Sequence, residues 1–473
     1  MSAIYRRLAA AVAIGMPILV CGLAFSRADA PGAQIDSDMI VTAAPVYVPL
    51  AELRGQQRFP KGAQLLLVHA GKAERLVAGF AASADANVSF DAQTVLFSGK
   101  QNASDPWQIW ELTLKDRSVR KVISTPGDAE RPLYLPGGRM VWAERTPAGF
   151  QLQSAEDGHP IDGTTWNPTA GPGVLSLTYI HGNAFPADVL RDGRILFEAG
   201  YPLGEVATPE LYLVYADGSG VESVRCDHGR ARWGGAQLDT GDVVFTEGTS
   251  LARFTSPLAH EAPIAAPSAN YAGAIAETAS GTWLVSARAA ADAHYAIKTW
   301  QPGSARMRTV SAQSGEDLVE PVAVAPRVRP NRHPSGLHPW DYANLLALDV
   351  RISRDGALRG VPSRVRLEAQ DAAGRTEAMG TAPIESDGSF FVEVPSDRPI
   401  RFAVLDAKGA VLRQEYGWFW MRSGEQRICV GCHAGPERAP ENRVPAVLLR
   451  TTSPADLTGK PPASMLSAEG RSK

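Results

Sequence analysis

The chain has 473 residues, 44% of them hydrophobic and 21% charged, with a formal net charge of −3. That composition supports buried cores and excludes a wholly disordered chain, and the charge balance excludes the basic stripe that a nucleic-acid binder needs. The 44 glycines and 35 prolines fit many short strands joined by turns rather than long helices.

In chain order, residues 1–30 read as a signal peptide. Arg6 and Arg7 precede an apolar run from Leu8 to Phe25, and Ala28-Asp29-Ala30 offers small residues at the cleavage positions. Pro31 is a poor neighbour for a cut after Ala30, so cleavage after Ala28 is the alternative. Left uncleaved, the run is near the length that spans a bilayer and would tie the protein to a membrane. A lipoprotein cut at Cys21 fits less well, because Val20 is bulky. Each reading places the chain beyond Ala30 outside the cytoplasm, periplasmic or secreted. Of the four cysteines, Cys21 lies in this segment, leaving Cys226, Cys429 and Cys432.

Residues 31–327 carry a diverged repeat, a polar Asp/Gly turn followed by a short apolar strand. The strands are Thr94–Phe97, Met140–Trp142, Ile195–Phe197, Val243–Phe245 and Thr282–Val285. Their ends recur at roughly 40–55 residues, close to the period of a four-stranded propeller blade of the TolB or WD40 kind. Further strand pairs follow, such as Gln108–Leu114 with Val119–Ile123 and Glu210–Tyr215 with Val221–Val224. Leu65–Val68 and Arg75–Val77 supply part of one more unit. The expectation is an all-β six-bladed propeller (seven being the alternative), its ring closed by N-terminal strands.

Residues 328–340 shift to a Pro- and His-rich connection that contains His333 and His338 and marks a domain boundary. Over 328–450 the pattern stays β. Leu345–Ile352, Ser363–Glu368, Ser389–Val394 and Ile400–Leu405 are separated by Asp/Gly turns. Phe390, Val392 and Val394 alternate with a half-polar face. This predicts a small antiparallel sandwich. Residues 451–473, polar with Pro and Ser, are expected to be disordered.

Cys429-Val430-Gly431-Cys432-His433 is a Cys-x-x-Cys-His motif, the signature of c-type haem attachment. Two thiols at this spacing reach the two vinyl groups of one porphyrin edge, and the adjacent imidazole serves as an axial ligand. Gly431 would let the backbone pass close to the macrocycle. A second Cys pair for a zinc site is missing from the sequence, and the β setting does not suit a thioredoxin-like pair. Met421 is a candidate second axial ligand, its competing role being core packing. His333, His338, Tyr416 and Glu437 are lesser candidates. Trp418, Phe419 and Trp420 read as a haem-face shield or as sandwich core. In Cys226-Asp227-His228 all three side chains are competent metal ligands. This loop is either a zinc or haem-adjacent site at the propeller rim or a plain surface thiol beside a histidine.

The run Ser389–His433 resembles the middle domain of the hydrazine synthase alpha subunit and its related proteins. The resemblance rests on Gly388-Ser389-Phe390, Glu393-Val394-Pro395, Asp397 with Pro399, Leu405-Asp406, Gly424-Glu425-Gln426 and Cys429–His433. The propeller repeats and the loop carrying Cys226 also resemble the family's N-terminal domain, so the likeness runs from about Pro60 to Leu449, specific for domain arrangement and weaker for activity. It implies a haem-bearing sandwich packed on a six-bladed propeller. It also implies that the motif histidine can turn to a zinc ion with a propeller cysteine, here His433 with Cys226, while a downstream tyrosine takes the iron. That tyrosine is absent, since Ala434-Gly435-Pro436-Glu437 follows. The sequence holds one Cys-x-x-Cys-His, so hydrazine synthesis is not expected of it. The functional expectation is a monohaem c-type protein that exchanges electrons with a partner protein, the propeller docking that partner or covering the pocket. The alternatives are a haem oxidoreductase acting on a small molecule at an open iron, and a propeller binding module with a structural haem.

Overall fold

The structure, a computed structural model, describes residues 38–155, 173–204, 208–225, 227–256, 259–353, 356–431 and 442–460. The signal segment lies outside the described residues, as do Cys226, Cys432 and His433. From Asp36 onward the chain is one compact unit built almost wholly of strands.

The five apolar repeat strands become Thr94–Lys100, Met140–Thr146, Ile195–Tyr201, Val243–Glu247 and Trp283–Arg288. Each lies second in a four-stranded antiparallel sheet counted from the inside. Val95, Leu96 and Phe97 are all fully buried, as are Ile195, Leu196 and Phe197. A strand covered on both faces has no polar alternation and reads as a continuous apolar run. The cover comes from the neighbouring sheets. Leu96 and Ile109 meet Met140 and Trp142 in one cluster, and Leu196 and Leu211 meet Phe245 and Phe254 in another.

Six such sheets, here called blades, occur among the described residues of the propeller. Their innermost strands are Ala82–Val88, Ala129–Tyr134, Ala184–Val189, Arg232–Gln237, Asn270–Glu277 and Asp317–Ala323. These neighbour one another in a closed circle. Blades 1 to 5 follow chain order. The sixth is shared by the two ends of the propeller, because Met39–Ala44 pairs with both Gln64–His69 and Asp317–Ala323.

Each innermost strand slips register once, between Ala84 and Asn87, Glu130 and Leu133, Pro186 and Asp188, Trp233 and Ala236, Ala272 and Ala276, and opposite Ile40 to Thr42. Five of the six slips hold a left-handed residue: Asp85 (φ 59°), Arg131 (52°), Gly234 (65°), Gly273 (73°) and Glu320 (56°). A bulge re-aims a side chain out of the strand's alternation. Here it brings Asp85, Arg131 and Glu320 to an axial cavity of about 150 Å³. Arg58, on the loop after the first strand, is almost fully buried. It pairs with Asp85 and Glu320 and lies near Glu52 (3.4 Å) and Glu130 (3.9 Å). Arg131 pairs with Glu52 and Glu198.

The C-terminal region is a sandwich of two four-stranded sheets. One runs Gln426–Cys429, Tyr342–Ala347, Phe390–Pro395, Ala455–Asp456. The other runs Thr376–Pro383, Arg364–Gln370, Ile400–Leu405, Val411–Gln414. Alternate residues Leu345, Val392 and Val394 face Val365, Leu367, Phe402 and Val404 in a single core. The expected disordered tail is corrected as far as Lys460. Ala455–Asp456 adds a parallel strand beside Val392–Glu393, and Leu457 is buried in the sandwich core. A short apolar insertion was hidden by the polar residues around it. Residues 461–473 lie outside the described residues.

Two guanidiniums face five carboxylates around the axis, so protons make up part of the balance. Burial, with repulsion from Asp85, Asp128 and Glu52, pushes the Glu130 carboxyl up to about 8 against the pull of Arg58. Burial also raises Glu320. An unfolded glutamate titrates near ~4.3, so between that pH and about 8 the folded chain holds a proton that the unfolded chain has lost. Stability from this group therefore falls as pH rises through the window. Glu130→Gln is expected to raise the melting temperature relative to the parent by about 2–4 °C at pH 8.5, with the gap closing toward pH 5. Paired thermal melts at the two pH values check this.

Candidate functional site

The segment that leads to the motif runs along the seam between propeller and sandwich. Phe419 makes a two-way backbone pair with Ile400, and Met421 O accepts from Asp397 N. The segment is thus extended, and its side chains alternate sides. Trp418 and Trp420 turn to the propeller. Trp418 lies against Leu203 and Gly204 under the Arg401 guanidinium. Trp420 is fully buried in the core shared by blades 2 and 3, its indole N–H on Gly218 O at 3.1 Å. Met421 turns the other way and is fully buried in the sandwich core. Phe419 is half-buried and touches both cores.

One expectation changes here, and one open choice is decided. Trp420 is a propeller core residue and not part of the sandwich core, because the extended backbone gives it the propeller side. Met421 is a packing residue, the competing role that its sequence position left open.

Beyond Met421 the chain turns at Gly424, whose φ is +78°. A Cβ there would lie 1.9 Å from His338 O, so only glycine fits. Glu425, also buried, then ties the two bodies together. One carboxylate oxygen accepts from Gly220 N (3.2 Å) and from Arg427 Nε and Nη2 (2.9 and 2.6 Å); the other accepts from Arg422 N at 2.8 Å. Arg427 also donates to Val221 O at 3.3 Å. The strand Gln426–Cys429 adds in parallel to the sandwich edge with Cys429 opposite Ala347, and Leu348 N donates to Cys429 O at 2.9 Å.

Cys429 is a half-buried, unbridged thiol at the end of this edge strand, packed against the sandwich core. Burial pushes the thiol above its ordinary value despite Arg427, which does not suit a nucleophilic or redox-exchanging thiol. Ile428 beside it is 67% exposed and Tyr416 68%. Gly431 has a use of its own in the fold. A Cβ there would meet Ile352 Cβ and Ile352 O, each at 2.6 Å, so its bareness lets the chain press on the Asp349–Ile352 turn. Cys432 and His433 follow outside the described residues.

The remaining candidate ligands are held elsewhere. His338 N donates to Gly424 O, before the start of the strand that ends at Cys429, with its ring stacked on Trp340 at 4.3 Å. His333 lies against the Tyr215 ring at 4.0 Å. His228 stacks on Tyr201 at 3.8 Å. The loop around it is braced by Asp227 with Arg232 (3.0 Å) and by Glu210 accepting from Gly229 N and Arg230 N. Among the described residues no three His, Cys, Asp or Glu side chains gather to hold a metal ion. The pair Cys226 with His433 lies outside them, and so does Glu437.

Sequence reasoning missed the Glu425 clamp. Its signal was present as Glu425-x-Arg427, an acid and a base on one face of a strand.

Residues 368–434 match the family model described as the hydrazine synthase alpha subunit middle domain. Hydrazine synthase subunit alpha of Kuenenia stuttgartiensis is 38% identical over 60 residues, a stretch that spans 13% of this chain and 7% of that protein. The solved hydrazine synthase of Kuenenia stuttgartiensis shares the fold with a TM-score of 0.74 at 16% identity, covering 88% of this chain and 71% of that one. TolB from Acinetobacter baumannii is similar at a TM-score of 0.45 and 12% identity over 62% of this chain and 68% of its own.

Trp420→Ala would open a large hole between blades 2 and 3 and is expected to cost about 3–5 kcal/mol. Trp420→Phe keeps most of the volume, leaves Gly218 O unpaired, and is expected to cost about 1–3 kcal/mol. Urea unfolding of the full chain measures both.

Proposed function

We propose that this chain, a relative of the hydrazine synthase alpha subunit through its sandwich domain and shared fold, is an exported one-haem c-type protein that passes electrons to or from a partner protein. Cys429 and Cys432 would hold the haem through thioethers, and His433 would be the axial ligand. The observation that carries this reading is the placement of Cys429, an unbridged, half-buried thiol at the end of an edge strand, next to the exposed Ile428. An attachment point at a sheet edge suits a cofactor edge that must come near a partner.

The described residues fit such a group. Cys429 is fixed by the ladder to Ala347 and Leu348, its thiol is not consumed by a disulfide, and it packs against the apolar sandwich core. Bound there, a c-type haem supplies a one-electron iron couple. The chain's own part is to hold the attachment point still. Glu425 and Arg427 lock the strand to blade 3, and Gly431 seats the following turn on Ile352. Zinc between Cys226 and His433 remains a second role proposed for that histidine. Covalent haem attachment of this kind belongs outside the cytoplasm, in keeping with the signal segment. Among the described residues no helix is long and apolar enough to cross a membrane.

The test is expression with the c-type maturation apparatus, followed by haem staining of a denaturing gel. The parent is expected to keep a stained band that Cys429→Ala and Cys432→Ala weaken or lose. An unstained parent overturns the assignment. With haem in place, a low-spin reduced spectrum unmoved by carbon monoxide supports electron transfer. A high-spin spectrum that shifts with carbon monoxide replaces it with small-molecule chemistry at an open iron.

A further inference from the structure

The axial cavity of about 150 Å³ is lined by three carboxylates, Asp85, Glu198 and Glu320, with the Arg131 guanidinium and Tyr47. These come from blades 1, 3, 6 and 2 and from the loop after the first strand. A water takes ~30 Å³, so the space holds only a few heavy atoms. That excludes a sugar, a nucleotide or a peptide and leaves room for a small ion.

The charges around the cavity do not balance. Arg58 is shared by Asp85 and Glu320, and Arg131 by Glu52 and Glu198, with Glu130 near Arg58 as a fifth carboxylate. Even with protons on Glu130 and Glu320, both raised by burial, three carboxylates face two guanidiniums. The next cation outward, Arg327, reaches Asn87 Oδ1 at 3.4 Å and has its own counter-charge in Asp188.

Two buried polar atoms there also lack a protein partner. Tyr47 is 7% exposed, its ring held edge-on to Tyr295 at 5.9 Å and tilted against Phe59 at 5.6 Å. Its backbone N donates to Asp317 at 3.0 Å, and among the described residues its hydroxyl bonds to nothing. That hydroxyl faces the axial charges, kept neutral by burial and by repulsion from Glu320 and Glu52. Glu52 is 2% exposed, and its Oε2 is buried without a hydrogen-bond partner. Buried polar atoms are seldom left so.

A metal ion draws oxygens to ~2.0–2.6 Å on several sides, and among the described residues no three acidic side chains gather in that way. An ammonium group has three N–H donors and can use acceptors spread across a wider space. Leu133, Trp233 and Val322 give the lining an apolar part, which suits a short alkyl group. The Glu320 side chain is 20% exposed, so the charged wall reaches solvent.

We propose that the axial cavity binds one small primary ammonium ion, with the Tyr47 hydroxyl and the Glu320 carboxylate among its acceptors. The inference does not depend on haem chemistry.

The test is isothermal titration of the purified full chain with methylammonium chloride, sodium chloride keeping the ionic strength constant. Saturable binding at one site per chain is expected. Tyr47→Phe removes a hydroxyl that no described protein group uses, so the variant should fold normally, and binding is expected to weaken about tenfold. Glu320→Gln removes a carboxylate charge and is expected to weaken binding at least as much. Potassium chloride in place of methylammonium chloride is expected to bind more weakly. A flat methylammonium titration overturns the proposal. Binding that Tyr47→Phe leaves unchanged overturns it too, whatever Glu320→Gln does. Tighter binding of potassium overturns it in favour of a metal ion.

Discussion

Trp420 and Met421 are adjacent in sequence and both fully buried, yet they belong to different cores. An extended backbone imposes this, since it must send consecutive side chains to opposite sides. Propeller and sandwich are therefore completed by one short piece of chain. Pulling either core open exposes an aromatic ring or a thioether to water, at about 1.5–3 kcal/mol for each buried side chain of this size. The Glu425 clamp, the Gly424 turn and the edge strand of Cys429 all follow within eight residues, and they inherit their position from this threading. A cofactor attached there would be fixed to the propeller as firmly as to its own domain.

The centre of the propeller obeys the opposite logic. Buried charge is costly unless paired and hydrogen-bonded, and replacing it by apolar residues often stabilises a protein. The bulges nevertheless direct Asp85, Arg131 and Glu320 inward, and the loop bearing Glu52 and Arg58 returns to meet them. That arrangement ties blades 1, 2, 3 and 6 to one loop through pairs that only one arrangement of the blades can satisfy. Raised carboxyl groups at Glu130 and Glu320 mark where the pairing falls short.

The propeller was legible because its blades cover both faces of each second strand, turning Val95–Phe97 or Ile195–Phe197 into unbroken apolar runs at a regular spacing. The sandwich was legible through Phe390, Val392 and Val394. Thr376–Pro383 escaped notice because it is an outer strand with mostly exposed side chains, and Ala455–Asp456 because two residues carry no period. The motif announced Cys429 from its spacing alone. The partners of the tryptophans could not be read, since Gly218 and Leu203 lie some two hundred positions away and nothing local to Trp420 points to them. The same holds for Tyr47, Glu198 and Glu320, distant residues brought together at the axial cavity only by the fold. His333 and His338 drew attention as chemistry-bearing residues, and in the structure the His333 ring lies on Tyr215 while His338 is tied to Gly424 through its backbone N–H.

The shared blade has a consequence in time. Met39–Ala44 cannot gain its second neighbour until Asp317–Ala323 has been made, so an emerging chain carries an open strand edge through nearly the whole of propeller synthesis. Open edges are the surfaces on which strands pair wrongly with other chains. The last propeller strand, the Pro-rich connection and the seam segment then follow within about a hundred residues of one another. Ring closure and docking of the sandwich thus fall together late in synthesis, and Cys429 emerges only after the propeller and the neighbouring strand Tyr342–Ala347 have been made.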